Sequence, residues 1–318
     1  MKTLFFAVAL VACGSPGGNN GGDDVVVDAP TSHVDGNNHT GSDGSVSTDK
    51  VTVFTIVLEN HDYAEIVGSS NAPYINSLIA QGALATNYKD TNHPSLPNYL
   101  HMISGADQYP GILDIGPNQF PYFPAAQPNL GTQLQAANIK WRSYQESMGT
   151  ACNLSDSGPY ATKHDPFLYF TDMQMGPCVD TNVDYSNFET DLATNTYRYM
   201  WITPNLNSDG HDPSSDPVAA LRTSDTWLSV QVPKILASDA YQHGGVLFVT
   251  WDESEARNGD DPDKIPMIIV SKNVKTAGMT SATAYTHSSY LATVEDLLAL
   301  PRLATVSAAP NMLEFLNH

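Results

Sequence analysis

Val51-Thr52-Val53-Phe54-Thr55-Ile56-Val57-Leu58 runs directly into Glu59-Asn60, and this junction decides the fold. The run is apolar or β-branched throughout and has no polar face. It predicts a strand buried on both sides, of the kind a parallel sheet places near its centre. Its end hands a carboxylate to the loop beyond the strand, where open α/β sheets bind their ligands.

The same arrangement recurs downstream. Ala83 to Tyr88 reads as a short strand, and Asn138 to Tyr144 ends near Gln145-Glu146. Tyr199 to Thr203 opens into Pro204-Asn205-Leu206-Asn207-Ser208-Asp209-Gly210-His211-Asp212, and Gly245 to Trp251 delivers Asp252-Glu253. Ile265 to Val270 is a further strand whose Pro266 is expected near the strand start or at a sheet edge. Ala72 to Gly82 reads as a helix closed by its glycine, and Ser288 to Leu298 as another. Strands alternating with helices predict an α/β fold over residues 51–318, a largely parallel central sheet with helices on both faces.

Working outward, Asp90-Thr91-Asn92-His93-Pro94-Ser95-Leu96-Pro97-Asn98-Tyr99 puts a hydroxyl one residue before a Leu-Pro step that opens a helix. Ser95 then lies among unpaired N–H groups at the positive end of the helix dipole, where phosphate binds well. Taken alone it reads first as a plain N-cap, and the rest of the chain reverses that. Other strand ends carry matching groups: Glu59 with Asn60, Asp252 with Glu253, and the His211 and His287 loops. Oxygen ligands from these loops suit a hard or borderline divalent cation, which would activate the Ser95 hydroxyl.

Composition narrows the function. Lys and Arg total 14 against 34 Asp and Glu, a formal net charge of −20. No basic stripe for a nucleic-acid backbone exists, so DNA or RNA partners are not expected. Lys2 followed by Leu4 to Ala12 and Cys13 reads as a signal sequence over residues 1–12, too short to span a bilayer. Leu10-Val11-Ala12-Cys13 resembles a lipobox that leaves Cys13 lipidated; the alternative is an ordinary signal peptide containing a cysteine. Residues 13–50, rich in Gly, Asn and Asp, have no apolar periodicity and read as a tether. An exported, membrane-anchored, monomeric lipoprotein follows, at the periplasm or cell surface, meeting the membrane only through its anchor. The remaining Cys152 and Cys178 are an even pair in an exported domain, for which a disulfide is the economical assignment.

Val57-Leu58-Glu59-Asn60-His61, His93 to Tyr99, Lys163-His164-Asp165-Pro166-Phe167, Pro204-Asn205 with Gly210-His211-Asp212, Thr250-Trp251-Asp252-Glu253 and Tyr285-Thr286-His287-Ser288 resemble, in order, the bacterial phosphoesterase family of acid phosphatases and phospholipases C. The resemblance implies an alkaline-phosphatase-like fold and a phosphate-ester substrate. It makes Ser95 a nucleophile that forms a phosphoseryl intermediate, with Glu59, Asn60, Asp252, Glu253 and Ser95 around one divalent ion (Mg, Ca, Mn, Fe or Zn). His211 and His287 are then phosphate ligands or the leaving-group acid, and His93 acts likewise. Lys163, His164, Asn98 and Asp212 serve the substrate. A second metal at Asp209, His211 and His287 is not expected, because Glu59 and Glu253 replace residue types that the two-metal enzymes use.

Three other functions compete. A sulfatase is disfavoured because Asn98 stands where its maturation motif has Arg. A phospholipase C is the alternative within phosphoryl transfer, and the short stretch after His287 favours a small monoesterase over it. A non-catalytic binding protein would show an eroded site, whereas the nucleophile and its ligands are intact.

Overall fold

A computed structural model describes residues 51–106, 113–119, 127–255, 257 and 261–317. The signal sequence, Cys13 and the tether lie outside the described residues.

The described residues form a nine-stranded sheet. Its strands are β1 (Val53–Leu58), β2 (Ala83–Lys89), β3 (Trp141–Gln145), β4 (Asn182–Asp184), β5 (Tyr199–Thr203), β6 (Val246–Trp251), β7 (Lys264–Ser271), β8 (Met279–Ser281) and β9 (Tyr285–Thr286). The order is β4-β3-β5-β1-β6-β7-β2-β8, with β9 also on β2. β1 pairs parallel with β5 and β6. Every residue of β1 and of β6 is buried. Because successive side chains point to opposite faces, both faces of the sheet are covered at these strands.

Helices Pro73–Gln81 and Pro217–Ala237 pack against each other, as do Ser95–Ser104 and His287–Leu297. Asp225 ties the first pair, accepting from the backbone N–H groups of Tyr74 and Ile75. Tyr290, on the helix His287–Leu297, shares hydrogen bonds with Thr55 of β1 and Tyr199 of β5. The helix Pro217–Ala237, the short strand β4 and the strands β8 and β9 are not among the elements expected from sequence.

One strand departs from the parallel rule. β7 runs antiparallel to both β6 and β2, so all other strands point the same way. Pro266 is third in this interior strand, not at a sheet edge. The β2–β7 register shifts between Ala85 and Tyr88, opposite Pro266, so its missing N–H costs no ladder bond there. Its carbonyl still accepts from the Thr250 hydroxyl.

Gly82 closes its helix as expected, for a different reason. Its φ of −104° is not left-handed. A Cβ there would stand 2.3 Å from the Ile269 carbonyl oxygen, so only glycine lets the helix end lie against β7. Cys152 and Cys178 are disulfide-bonded, joining the loop after β3 to the turn before β4.

Candidate active site

Parallel pairing does the first part of the assembly. Leu58 and Trp251 are partners in the β1–β6 register, so the residues that follow, Glu59 and Asp252, emerge side by side. The Asp252 N–H donates to the Leu58 carbonyl, and the Glu59 N–H to the Asp209 carbonyl, which brings the loop after β5 to the same edge. Gly210 makes that approach feasible. It has φ +104°, and a Cβ on it would stand 3.0 Å from the Glu59 carbonyl oxygen.

Ser95 arrives from β2. The loop between them is pinned by Asn98, whose Oδ1 accepts from the N–H groups of Thr91 and Asn92 while its Nδ2 donates to the Asn92 carbonyl. Asn98 is wholly buried in this task. Expected on the substrate side, its side chain is spent on the turn ahead of Ser95.

Ser95 is the first residue of its helix and is buried. Its Oγ lies 3.1 Å from Glu59 Oε2, 2.9 Å from Glu253 Oε1 and 3.2 Å from Lys163 Nζ. A hydroxyl has one proton and can donate to only one carboxylate at a time. The other oxygen–oxygen contact needs positive charge nearby, and Lys163 supplies some of it.

The electrostatics are those of a compressed acidic cluster. Burial alone would raise Glu59, but His164 and Lys163 beside it hold its carboxyl well below the usual range. Burial, with the charges of Glu59 and Glu253, pushes Asp252 well above. Burial, with Glu59, does the same to Asp209. Lys163 is raised despite its burial, because Glu59 and Asp114 flank it.

The residues present fit a divalent cation. Glu59 Oε1, Asn60 Oδ1, Asp209 Oδ2 and Asp252 Oδ2 are buried without a hydrogen-bond partner, while Glu253 Oε2 is met by His93. Leaving that many buried oxygens unsatisfied is costly unless a cation meets them. His164 Nε2 comes within 3.0 Å of Glu59 Oε1 without hydrogen-bond alignment, and its Nδ1 is 3.6 Å from Asp209 Oδ2. His164, expected on the substrate side, thus lies among the acids. A second grouping is more compact: Asp90, His93 and Asp263 offer ligand atoms all within 4.8 Å of one another. His93 also pairs with Glu253, which raises its pKa to about 9.

Two further residues carry structural bonds beyond the roles expected of them. His287 is wholly buried, and both ring nitrogens are engaged by Tyr88 and the Asp252 main chain. Burial lowers its pKa to about 3, so the ring is neutral. Through these bonds it supports the acidic loop after β6. Asn60 sits in the left-handed region at φ 53°. Its backbone N–H donates to Asp252 and its side chain to Glu255, so it braces the cluster as well as contributing its unpaired Oδ1.

His211 stands at the mouth of the site, partly exposed, with its Nδ1 3.0 Å from Asp212 Oδ1. It lines a cavity of about 240 Å³ with Lys163, Asp114, Asp156 and Thr162. Asp212 is a partner of His211 and does not line this cavity. Asp114 carried no sequence signal, since no strand precedes it. Its Oδ1 accepts from the Leu96 N–H and its Oδ2 from Lys163, both at 2.9 Å.

The chain matches the Phosphoesterase family over residues 68–301. It is 28% identical over 260 residues to a phosphatidylinositol-3-phosphatase of Mycobacterium tuberculosis, covering 81% of this chain and 80% of that one. It is 29% identical to a probable acid phosphatase of Kluyveromyces lactis, covering 82% of this chain and 61% of that one. The chain thus spans about three-fifths of the length of that fungal relative. Among solved structures, an alkaline phosphatase superfamily protein from Vibrio parahaemolyticus shares the fold at TM-score 0.57 and 15% identity, covering 83% of this chain and 70% of that one. The lipoteichoic acid synthase LtaP of Listeria monocytogenes does so at 0.59 and 12%, covering 84% and 75%. With a serine at a helix start amid acids on neighbouring strand ends, the chain belongs to the phosphoesterase family, hydrolases of phosphoester bonds on an alkaline-phosphatase-type fold.

Proposed function

We propose that this chain is a metal-dependent phosphomonoesterase of the acid-phosphatase type that works through a phosphoserine at Ser95. The observation that carries the reading is the Ser95 hydroxyl, buried at the first position of a helix and within hydrogen-bond distance of Glu59, Glu253 and Lys163.

Ser95 Oγ gives its proton to the neighbouring carboxylate and attacks phosphorus, and the bond to the leaving oxygen breaks. The leaving oxygen takes a proton from His211, which shares the cavity with Lys163. Water then attacks phosphorus and gives a proton to His211, the Oγ–phosphorus bond breaks as the carboxylate returns its proton to Ser95, and inorganic phosphate is released. Lys163 and the helix N-terminus neutralise the charge that gathers on the phosphoryl oxygens. A divalent cation held by Glu59, Asp252, Glu253 and Ser95, with Asn60 and Asp209 close by, would lower the Ser95 pKa and offset phosphoryl charge.

The modest size of the cavity beside Lys163 supports small monoesters over bulkier diesters. Export and anchoring through Cys13 are part of the same reading, supported by the Cys152–Cys178 disulfide, which belongs to an oxidising compartment.

The test is a panel of aryl phosphate, bis-aryl phosphate and phosphatidylcholine, run with metal-stripped and metal-restored protein and with Ser95→Ala. Acid-quenched turnover of radiolabelled monoester should leave label on the Ser95 peptide. Full activity after metal removal, or faster diester than monoester hydrolysis, would overturn the respective part.

A further inference from the structure

The groups best placed to hold a phosphoryl oxygen are already occupied, and by a side chain of this protein. A phosphoryl group under attack by Ser95 must set its oxygens beside the next backbone N–H, that of Leu96, and beside Lys163 Nζ, which lies 3.2 Å from the nucleophile. These two donors are bridged by one carboxylate. Asp114 Oδ1 accepts from the Leu96 N–H and Asp114 Oδ2 from Lys163, each at 2.9 Å. A planar carboxylate with two oxygens and negative charge copies one edge of a phosphate, and charge-assisted bonds of this kind are the strong ones.

Asp114 is held there from behind. The Ile115 carbonyl accepts from the Tyr169 hydroxyl at 2.8 Å, and Asn118 donates to the Leu154 carbonyl at 3.0 Å. Neither bond involves the Asp114 side chain, which is partly exposed on the cavity shared with His211. The backbone therefore keeps its place while the carboxylate is free to rotate away.

We propose that Asp114 is an internal competitor for the phosphoryl cradle, displaced by substrate and returning to expel product. The inference rests on the reading of Ser95 as a phosphoryl acceptor and deepens it. Every phosphoryl ligand must break both Asp114 bonds before it binds, so its apparent affinity falls by the fraction of time the cradle is open. Substrate and inorganic phosphate are weakened alike. The cost falls on ground-state binding, so KM is raised and product release is eased while the chemical step is unaffected.

The experiment measures inorganic phosphate binding by isothermal titration calorimetry, using full-length protein with and without added divalent metal. Wild type is compared with Asp114→Asn and Asp114→Ala. An alanine frees both donors, whereas an asparagine keeps an oxygen for Leu96 and gives up the attraction to Lys163. Phosphate should bind roughly five- to twentyfold tighter to the alanine variant and by a smaller factor to the asparagine variant, as expected when a mostly closed site is opened. KM for an aryl phosphate should fall in parallel, with kcat not increased. A residue that merely positioned Lys163 would show the reverse, a loss of phosphate affinity. Equal or weaker phosphate binding in both variants, with unchanged circular dichroism, overturns the role of Asp114 and leaves the phosphatase reading standing. No phosphate binding by wild type or by either variant overturns both.

Discussion

His287 carries its proton on Nε2, because that nitrogen lies 2.7 Å from the main-chain carbonyl of Asp252, which can only accept. Nδ1 is therefore the acceptor for the Tyr88 hydroxyl at 2.9 Å. The pair joins β9's end to the acidic loop after β6 and requires a neutral ring.

That requirement has a pH consequence. Burial lowers His287 from its ordinary 6.5 to about 3 in the folded protein. Between those values the unfolded chain binds a proton that the folded chain refuses, so stability falls as pH drops through this window. The contribution is fully present above 6.5. His287→Gln should remove part of this acid sensitivity while costing roughly 1–3 kcal/mol near neutrality, the usual cost of orphaning buried hydrogen-bond partners. Urea melts of both proteins between about pH 4 and 8 check it; identical pH slopes would show that His287 is not the titrating group.

Ser95→Ala should lower turnover of an aryl phosphate by at least about 10³-fold, as loss of a nucleophile does. The helix should persist, because its N-terminal turn is also held by the Leu96–Asp114 bond and the Asn98 network. Unchanged far-UV circular dichroism with lost activity is the expected pair of readings.

His211→Asn should reduce kcat by about 10²–10⁴-fold for poor leaving groups and far less for nitrophenolate, which departs without a proton. Its partner Asp212 is on the outer side, so Asp212→Asn should have the smaller effect. A Brønsted plot against leaving-group pKa checks this. Equal losses for good and poor leaving groups would remove His211 from the acid role.

The parallel half of the sheet was legible because β1, β5 and β6 are continuous apolar runs, and each ended in the residues that build the site. Glu59, Asp252 and Glu253 could be found this way, Ser95 from the helix start at its Leu-Pro step, and Lys163 only through the family resemblance. The direction of β7 could not, since a buried strand reads the same in either orientation. The structural bonds of His287 and Asn98 were hidden in the sequence for a common reason. Both are polar residues inside motifs near the nucleophile, and sequence does not show that their hydrogen bonds are spent on neighbouring backbone. Asp114 was invisible because it comes from a loop, placed by tertiary bonds through Tyr169 and Leu154. His164 was found with the wrong neighbours: it meets Glu59 and Asp209, residues from two different strand ends.

Metal removal and Asp252→Asn should give a signature that separates a metal centre from an ordinary acidic network. Asp252 is buried beside Glu59 and Glu253, and burial with those two charges pushes its carboxyl well above the usual range. Without a cation, the charged form of Asp252 is therefore a liability, and replacing it by an amide of the same shape removes repulsion. The amide oxygen introduced by Asp252→Asn would still accept the Asn60 N–H that Asp252 Oδ1 now takes at 3.3 Å. Metal-free Asp252→Asn should thus be at least as stable as metal-free wild type, by about 2–4 °C in Tm for each kcal/mol gained. With saturating divalent ion the order should reverse, because binding stabilises the native state in proportion to affinity and the variant has lost a charged ligand. Tm measured with and without Mg, Mn and Zn, alongside metal content by plasma emission, decides the matter. If the variant is less stable than wild type without metal and gains as much as wild type on adding it, Asp252 holds no ion and the acids serve the fold alone.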